Sequence, residues 1–251
     1  RSCLVNEELT SQLRFLRLPG LLEHWDSVTS EADKKSPSYS RFLKDVISRE
    51  YSVKKERARL LRIKRAKIPD VYAMETYPFD RQPKLNKKQV LQIYDSNEYL
   101  AKRQHIALIG PTGVGKTGIA TSFLAHAINH GYTARFILFP DLIDELYQAL
   151  ADHSSKKVMS RFLKYDLLHI DELGYCEIDS QAKAGLIFQL LRQRRRSTII
   201  TSNLGFSEWE TFLKDKNLTA ALIDKFTANC HLINMLQCKS ITPKTVPQIK
   251  P

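Results

Sequence analysis

The sequence predicts an α/β fold, a parallel sheet of five strands with helices on both faces, preceded by a small all-helical region. Two observations carry this expectation. From His105 onward, short apolar runs alternate with helical segments, the pattern of strands joined by crossover helices. Before that point only helical periodicity occurs, and cations crowd into it. A glycine-rich loop directly after the first apolar run adds a third, because such a loop between strand and helix is itself a supersecondary signature. With 251 residues and 43% hydrophobic content, the chain can bury one sizeable core and carry a small appendage.

Taken in order, Glu7 to Ser27 reads as a helix pair broken at Pro19-Gly20, with Leu9, Leu13, Leu16, Leu21, Leu22 and Trp25 as its apolar face. Ser36-Pro37-Ser38 separates the pair from a long basic amphipathic helix between Arg41 and Lys67, ended by the turn signal Ile68-Pro69-Asp70. Its cations are Arg49, Lys54, Lys55, Arg57, Arg59, Arg62, Lys64, Arg65 and Lys67, opposed from Arg49 onward by Glu50 and Glu56 alone. A polar connector from Tyr77 to Leu85 and a helix from Asn86 to Leu100 follow. The expected strands are His105 to Ile109, Thr133 to Leu138, Asp166 to Ile170, Thr198 to Thr201 and His231 to Met235. This gives a domain plan of a helical region over 1–76 that binds DNA or a partner, a connector and helix over 77–104, and a nucleotide domain over 105–251.

The loop Gly110-Pro111-Thr112-Gly113-Val114-Gly115-Lys116-Thr117 fits G-x-x-x-x-G-K-[ST] at every fixed position, and it lies between strand and helix as the motif requires. Its glycines let the backbone wrap a phosphate and aim N–H groups at it, while the helix that follows adds its positive end. Lys116 can reach the β- and γ-phosphates of ATP, and the Thr117 hydroxyl can hold Mg²⁺. About 55 residues on, the apolar run Leu167, Leu168, Ile170 ends in Asp171 and Glu172. A buried strand there delivers Asp171 to the carboxyl edge of the sheet as a magnesium ligand, directly or through water, with Glu172 placed to polarise the attacking water. The β-branched run Ser197 to Ser202 leads to Asn203, which a parallel sheet would set beside the γ-phosphate, although Ser202-Asn203 equally suits a turn.

Other chemistries find little support. The histidines are scattered, and the pair His126 and His130 lacks the glutamate of a zinc-protease helix, so Mg²⁺ is the one metal expected. Cys3, Cys176, Cys230 and Cys238 form no C-x-x-C pair and read as reduced thiols of a cytoplasmic protein. No run of eighteen apolar residues and no leader pattern is present, so no membrane partner is expected.

The order and spacing of the loop, Asp171-Glu172 and Asn203 resemble the AAA+ ATPases. The stretches LRFLRLPGLLEHWDS, FLKDVISREYSVKKERARLLRIKRAKIPD, DLLHIDELGY and RRRSTIITSNLGFSEW are similar to IstB-like transposition helper ATPases, relatives of the DnaC-type helicase loaders. The resemblance implies an ATP- and magnesium-dependent protein that assembles as a homo-oligomer, ring or helical, on double-stranded target DNA and recruits or activates a cognate transposase. A helicase loader is the alternative, and a nucleotide-gated scaffold a third. The resemblance also implies an arginine entering from the neighbouring subunit. The matching position here is Lys225, and no arginine follows Arg196, so hydrolysis is expected to be slow or partner-dependent. Lys239-Ser240-Ile241-Thr242 stands where relatives carry SYR, and the segment after the last strand is short for a helical lid.

A formal net charge of +12 favours polyanionic partners. The nine cations of the basic helix are the expected DNA contact, through phosphates and without base reading. A second cluster, Arg192, Arg194, Arg195 and Arg196, closes the helix before the Asn203 strand, and its expected role is to complement that helix's dipole.

Overall fold

A computed structural model describes residues 6–241. The chain divides into two compact units, one ending at Leu61 and one beginning at Arg62. The first holds α1 (Glu7–Phe15), α2 (Pro19–Lys35) and most of α3 (Tyr39–Ala66). Asn6 caps α1 by accepting from the Leu9 N–H at 2.8 Å, and Pro19 opens α2, where its missing N–H costs nothing. Glu50 of α3 is buried, and its carboxylate accepts from the Leu21 N–H at 2.9 Å, so one unpaired donor in the first turn of α2 is satisfied from another helix.

In the second unit the expected helix from Asn86 to Leu100 is two helices, α4 (Lys87–Ser96) and α5 (Glu98–Ala101). Between them Asn97 adopts φ 51°, a left-handed conformation that asparagine tolerates and that ends a helix. The strands are β1 (His105–Ile109), β2 (Ala134–Leu138), β3 (Leu167–Asp171), β4 (Ser197–Ser202) and β5 (Cys230–Asn234), all parallel, in the order β2-β3-β4-β1-β5. Each expected strand is found with ends shifted by no more than one residue. The helices of this unit from β1 onward are α6 (Lys116–Asn129), α7 (Phe139–Ala151), α8 (Ser155–Lys164), α9 (Gln181–Gln193), α10 (Trp209–Leu213) and α11 (Lys216–Thr227).

Every residue of β1, β3 and β4 is buried, so these strands show no apolar–polar alternation, and their polar members, His169, Thr198 and Thr201 among them, are buried with the rest. Their alternate side chains enter two cores. Ile106, Leu108, Leu167 and Ile199 join Ile119, Phe123 and Leu124 of α6. Met74, Leu85, Val90, Ile93, Tyr99 and Leu100 pack in that same core, so the segment read as a connector is part of the sheet unit, whose boundary lies at 61/62. Ala107, Ile109, Leu168, Ile170 and Ile200 face the other core, built from α7, α8, α9, α10 and α11. Beyond β5, the described residues to Ile241 hold no helix.

His105, the first residue of β1, stacks on Phe226 of α11 with ring centroids 4.7 Å apart. Burial, and then the nearby charges of Arg194 and Lys225, push its imidazole down to about 4 from the ordinary 6.5. The unfolded chain therefore takes up a proton between those values that the folded chain refuses, so this residue costs stability as pH falls below 6.5. Between pH 7.5 and pH 5 its share is on the order of 2 kcal/mol. Urea unfolding of wild type and His105→Phe at the two pH values should show the variant losing that much less. Equal losses would mean that His105 titrates normally.

Candidate functional site

A parallel sheet brings the carboxyl ends of all its strands to one edge, and that is where the predicted loop, carboxylates and amide meet. The chain leaves β1 through Gly110, whose N–H donates to Ser202 O at 3.1 Å on β4, while Met235 N–H donates to Ile109 O at 2.7 Å from beyond β5. A side chain at position 110 would stand 2.7 Å from the Met235 backbone, so only glycine lets the two segments pass. Gly115 turns the loop into α6 with φ 88°, and a Cβ there would meet the Tyr77 ring at 2.7 Å.

Lys116 opens α6. Its ammonium donates to Gly110 O at 2.7 Å, Pro111 O at 2.9 Å and Asn203 Oδ1 at 2.6 Å, which ties the loop to the end of β4. Burial lowers the lysine's pKa, against the opposing pull of Asp171 and Glu172. The Asn203 amide also donates to Thr112 Oγ1 at 3.3 Å, so Asn203 faces the loop.

Thr117, one residue into α6, donates to Asp171 at 3.0 Å. Asp171 is the last residue of β3 and is buried. Burial alone would raise its carboxyl, but the His169 ring, with Nε2 3.3 Å away, and the hydroxyls of Thr201 and Thr117 outweigh it and hold the pKa below the ordinary value. The carboxylate is therefore ionised. Thr201 Oγ1 donates to Asp171 and accepts the Glu172 N–H at 3.0 Å, so one hydroxyl of β4 sets both acids. Glu172 itself is exposed and held at φ 58°, a left-handed conformation that costs a non-glycine residue about 1 kcal/mol and turns its side chain off the strand line.

Some participants were not legible in the sequence. Thr201 looked like one more β-branched strand residue. Tyr77, read as connector, donates from its hydroxyl to Val114 O at 2.7 Å inside the loop, and burial raises that phenol's pKa. The segment after β5 closes over the same loop: Ile241 N–H donates to Gly113 O at 2.8 Å, and Gln82 and Lys239 exchange hydrogen bonds through the amide side chain. Of the four residues aligned with the SYR position, Thr242 lies outside the described residues, as does Cys3, while Cys176, Cys230 and Cys238 are free thiols.

Lys225 is not brought to this edge. It lies in the last turn of α11, ahead of β5, and donates to Arg192 O at the end of α9. The basic helix is also less free than its sequence implied. The fold brings Glu23 and Glu31 of α2 against α3, so Arg57 pairs with Glu23 and Arg49 with Glu31, while Arg59 pairs with Glu56. Lys54 lies 3.9 Å from Glu50, and Lys55 sits over the Tyr51 ring. Glu50 and Glu56 are therefore not the only acids that oppose these cations, contrary to the expectation from sequence, because the fold brings Glu23 and Glu31 to them from another helix. Arg62 and Arg65 fall in the second unit, and Lys64 and Lys67 are exposed.

Together these groups offer what a nucleoside triphosphate needs: backbone donors around a cradle, a cation, and a carboxylate next to an oriented amide. A hydroxyl and an ionised carboxylate 3.0 Å apart are two hard oxygen donors, the kind of set from which magnesium takes one or two protein ligands beside phosphate oxygens and water.

The IstB-like ATP binding protein family matches residues 11–245. A protein of insertion sequence IS232 from Bacillus thuringiensis subsp. berliner, named for ATP binding, is 30% identical, with 92% of each chain covered. An IS21-like counterpart from Bacteroides fragilis is 30% identical over 91% of this chain and 87% of its own. Among solved structures, DnaI superposes with a TM-score of 0.51 at 20% identity, covering 59% of this chain and 85% of DnaI. AMPPCP-bound DnaA from Aquifex aeolicus gives 0.54 at 15% identity, covering 68% and 52%. Both agree in fold.

Proposed function

The chain belongs to the IstB-like ATP binding protein family, an AAA+ fold, and from that premise we propose that it is a DNA-binding ATPase that controls insertion-sequence transposition. It assembles on double-stranded target DNA when ATP is bound, recruits or activates the cognate transposase there, and releases that state by hydrolysis. The observation that carries this reading is the convergence of Lys116, Thr117, Asp171, Glu172 and Asn203 at one sheet edge, in a chain whose relatives come from insertion sequences.

Lys116 exchanges its loop carbonyls for β- and γ-phosphate oxygens, and the loop N–H groups take the remaining charge. Thr117 and Asp171, the latter directly or through water, would hold magnesium, which would supply neutralising charge for the phosphoryl group. Glu172 orients the attacking water and accepts its proton, while Asn203 senses the γ-position through the same contacts it makes to Lys116 and Thr112. Lys225 faces away from its own site, which suits a group that acts on a neighbouring copy, but lysine lacks the planar fork of arginine. Hydrolysis by the protein alone is therefore slow, and partners stimulate it. The cations of α3 from Arg49 to Lys67 contribute phosphate contacts, with Lys64, Arg65 and Lys67, all exposed, the freest of them. The cytoplasm, where ATP and DNA meet, is the place of action this reading implies.

The test is particle mass by light scattering with duplex DNA and ATP, ADP or no nucleotide. Wild type should grow into large assemblies with ATP only, and Lys116→Ala should not. If wild type stays small on duplex DNA with ATP but gathers on single-stranded DNA with a replicative helicase, the helicase-loader function replaces this one.

A further inference from the structure

Because the strands are all parallel, the residues that precede them lie along the sheet edge opposite the phosphate loop, roughly 16 Å away across five residues of strand. Cations collect on that edge from segments far apart in sequence. Arg62, Arg65, Arg161 and Lys164 line a hollow of about 290 Å³, and Arg103, Arg195 and Arg196 line a second of about 440 Å³. The two share a wall, since Thr133 and Tyr165 face the first while their chain neighbours Tyr132 and Asp166 face the second.

The carboxylates near these cations are already engaged. Asp166 pairs with Arg196 and accepts from Thr133 N–H at 2.8 Å and Thr133 Oγ1 at 2.7 Å, while Glu145 pairs with Arg161. Among the described residues, Arg62, Arg65, Arg103, Lys164 and Arg195 have no carboxylate partner, and the Arg62 Nε is buried without a hydrogen bond. Helix dipoles account for little of this. At the end of α8 the carbonyls of Phe162 and Tyr165 are bonded by Arg194, so Arg161 and Lys164 are not needed there as caps. None of the exposed large apolar side chains of this unit lies in either hollow; the wall residues Leu100, Tyr132, Ala134 and Tyr165 are buried or half-buried, which leaves cations as most of the exposed groups.

We propose that this edge is a second nucleic-acid surface, which holds backbone phosphates of duplex DNA without reading sequence. Guanidinium forks match phosphate oxygens in pairs, and such binding needs only spaced cations. The surface lies on the ATPase unit, where the fold adds Arg103, Arg161, Lys164, Arg195 and Arg196 to the α3 cations Arg62 and Arg65, and it rests on the reading of the chain as a duplex-binding protein.

The experiment uses the full chain and a fluorescent 30-base-pair duplex, with anisotropy followed across a salt titration. Arg65→Gln/Lys164→Gln and Arg103→Gln/Arg195→Gln each change exposed or hollow-lining groups and should leave binding of a fluorescent ATP analogue unchanged. Each phosphate contact contributes about 0.9 to the slope of log K against log salt, so each pair should lower the slope by up to about 2 and weaken binding roughly 10- to 100-fold at low salt. Three results would overturn the proposal: an unchanged slope in both pairs with ATP binding intact, displacement of the duplex by polyglutamate as effective as by unlabelled duplex, or loss of ATP-dependent assembly at an unchanged slope. Wild type that fails to bind duplex at all would remove the proposed function as well, whereas an unchanged slope in variants of a binding wild type removes this surface alone.

Discussion

Glu172→Gln should reduce ATP turnover by a factor on the order of 10² to 10³ while ATP affinity stays within a few-fold of wild type. Proton acceptance from the attacking water is the step lost, and a positioned general base is worth about 10² to 10⁴ in rate. On the proposed reading binding survives, because the groups assigned to the phosphates are Lys116, Thr117 and the loop backbone, and the Glu172 N–H that Thr201 accepts is unchanged in the amide. The switch role adds a second expectation: the ATP-built assembly on DNA should persist for far longer in the variant. Phosphate release measured beside nucleotide binding decides the matter. Turnover within three-fold of wild type would assign the base elsewhere, and an assembly that decays at the wild-type rate would uncouple hydrolysis from disassembly.

The largest stability effect is expected at Arg194. It is 1% exposed and donates to Thr198 Oγ1 at 2.9 Å, Phe162 O at 2.7 Å, Tyr165 O at 2.8 Å and Ser197 O at 2.6 Å. One guanidinium thus joins the ends of α8 and α9 to the start of β4. Burial pulls its pKa down to about 9, which still leaves it charged at neutral pH. In Arg194→Leu three carbonyls, two buried and one part-buried, lose their donor, and each orphaned buried group costs about 1 to 3 kcal/mol. A total of about 3 to 5 kcal/mol is expected, a fall of roughly 10 °C or more in Tm for a unit of this size. Arg194→Lys should recover only part of it, because a single ammonium cannot reach acceptors spread across the guanidinium plane. Thermal unfolding by circular dichroism reads both variants, and melting of Arg194→Leu within 2 °C of wild type would show that water replaces the side chain at no cost.

That residue also marks where local reading stops. Arg192, Arg194, Arg195 and Arg196 look alike in sequence and share one expected role at the helix end, yet Arg194 is buried and its neighbours are exposed. The difference is decided by the last turn of α9, which leaves residue 194 pointing between α8 and β4. The pairing of Arg49 and Arg57 with acids of α2, and the reach of Tyr77 and Ile241 to the loop, are likewise contacts between residues far apart in the chain, where periodicity carries no information.

By itself the sequence determined the α/β class, the five strands to within a residue, the phosphate loop and the place of Asp171, Glu172 and Asn203. These follow from local chemistry: glycines where the backbone must turn tightly, apolar runs where both faces are buried, and polar residues where a strand leaves the sheet. Only the tertiary structure decided the strand order that sets β4 between the loop strand and the acid strand, and with it the use of Thr201 to fix both acids. Strand order, ion pairing and burial of a charge depend on which segments meet, and a single chain of letters records neighbours in sequence but not in space.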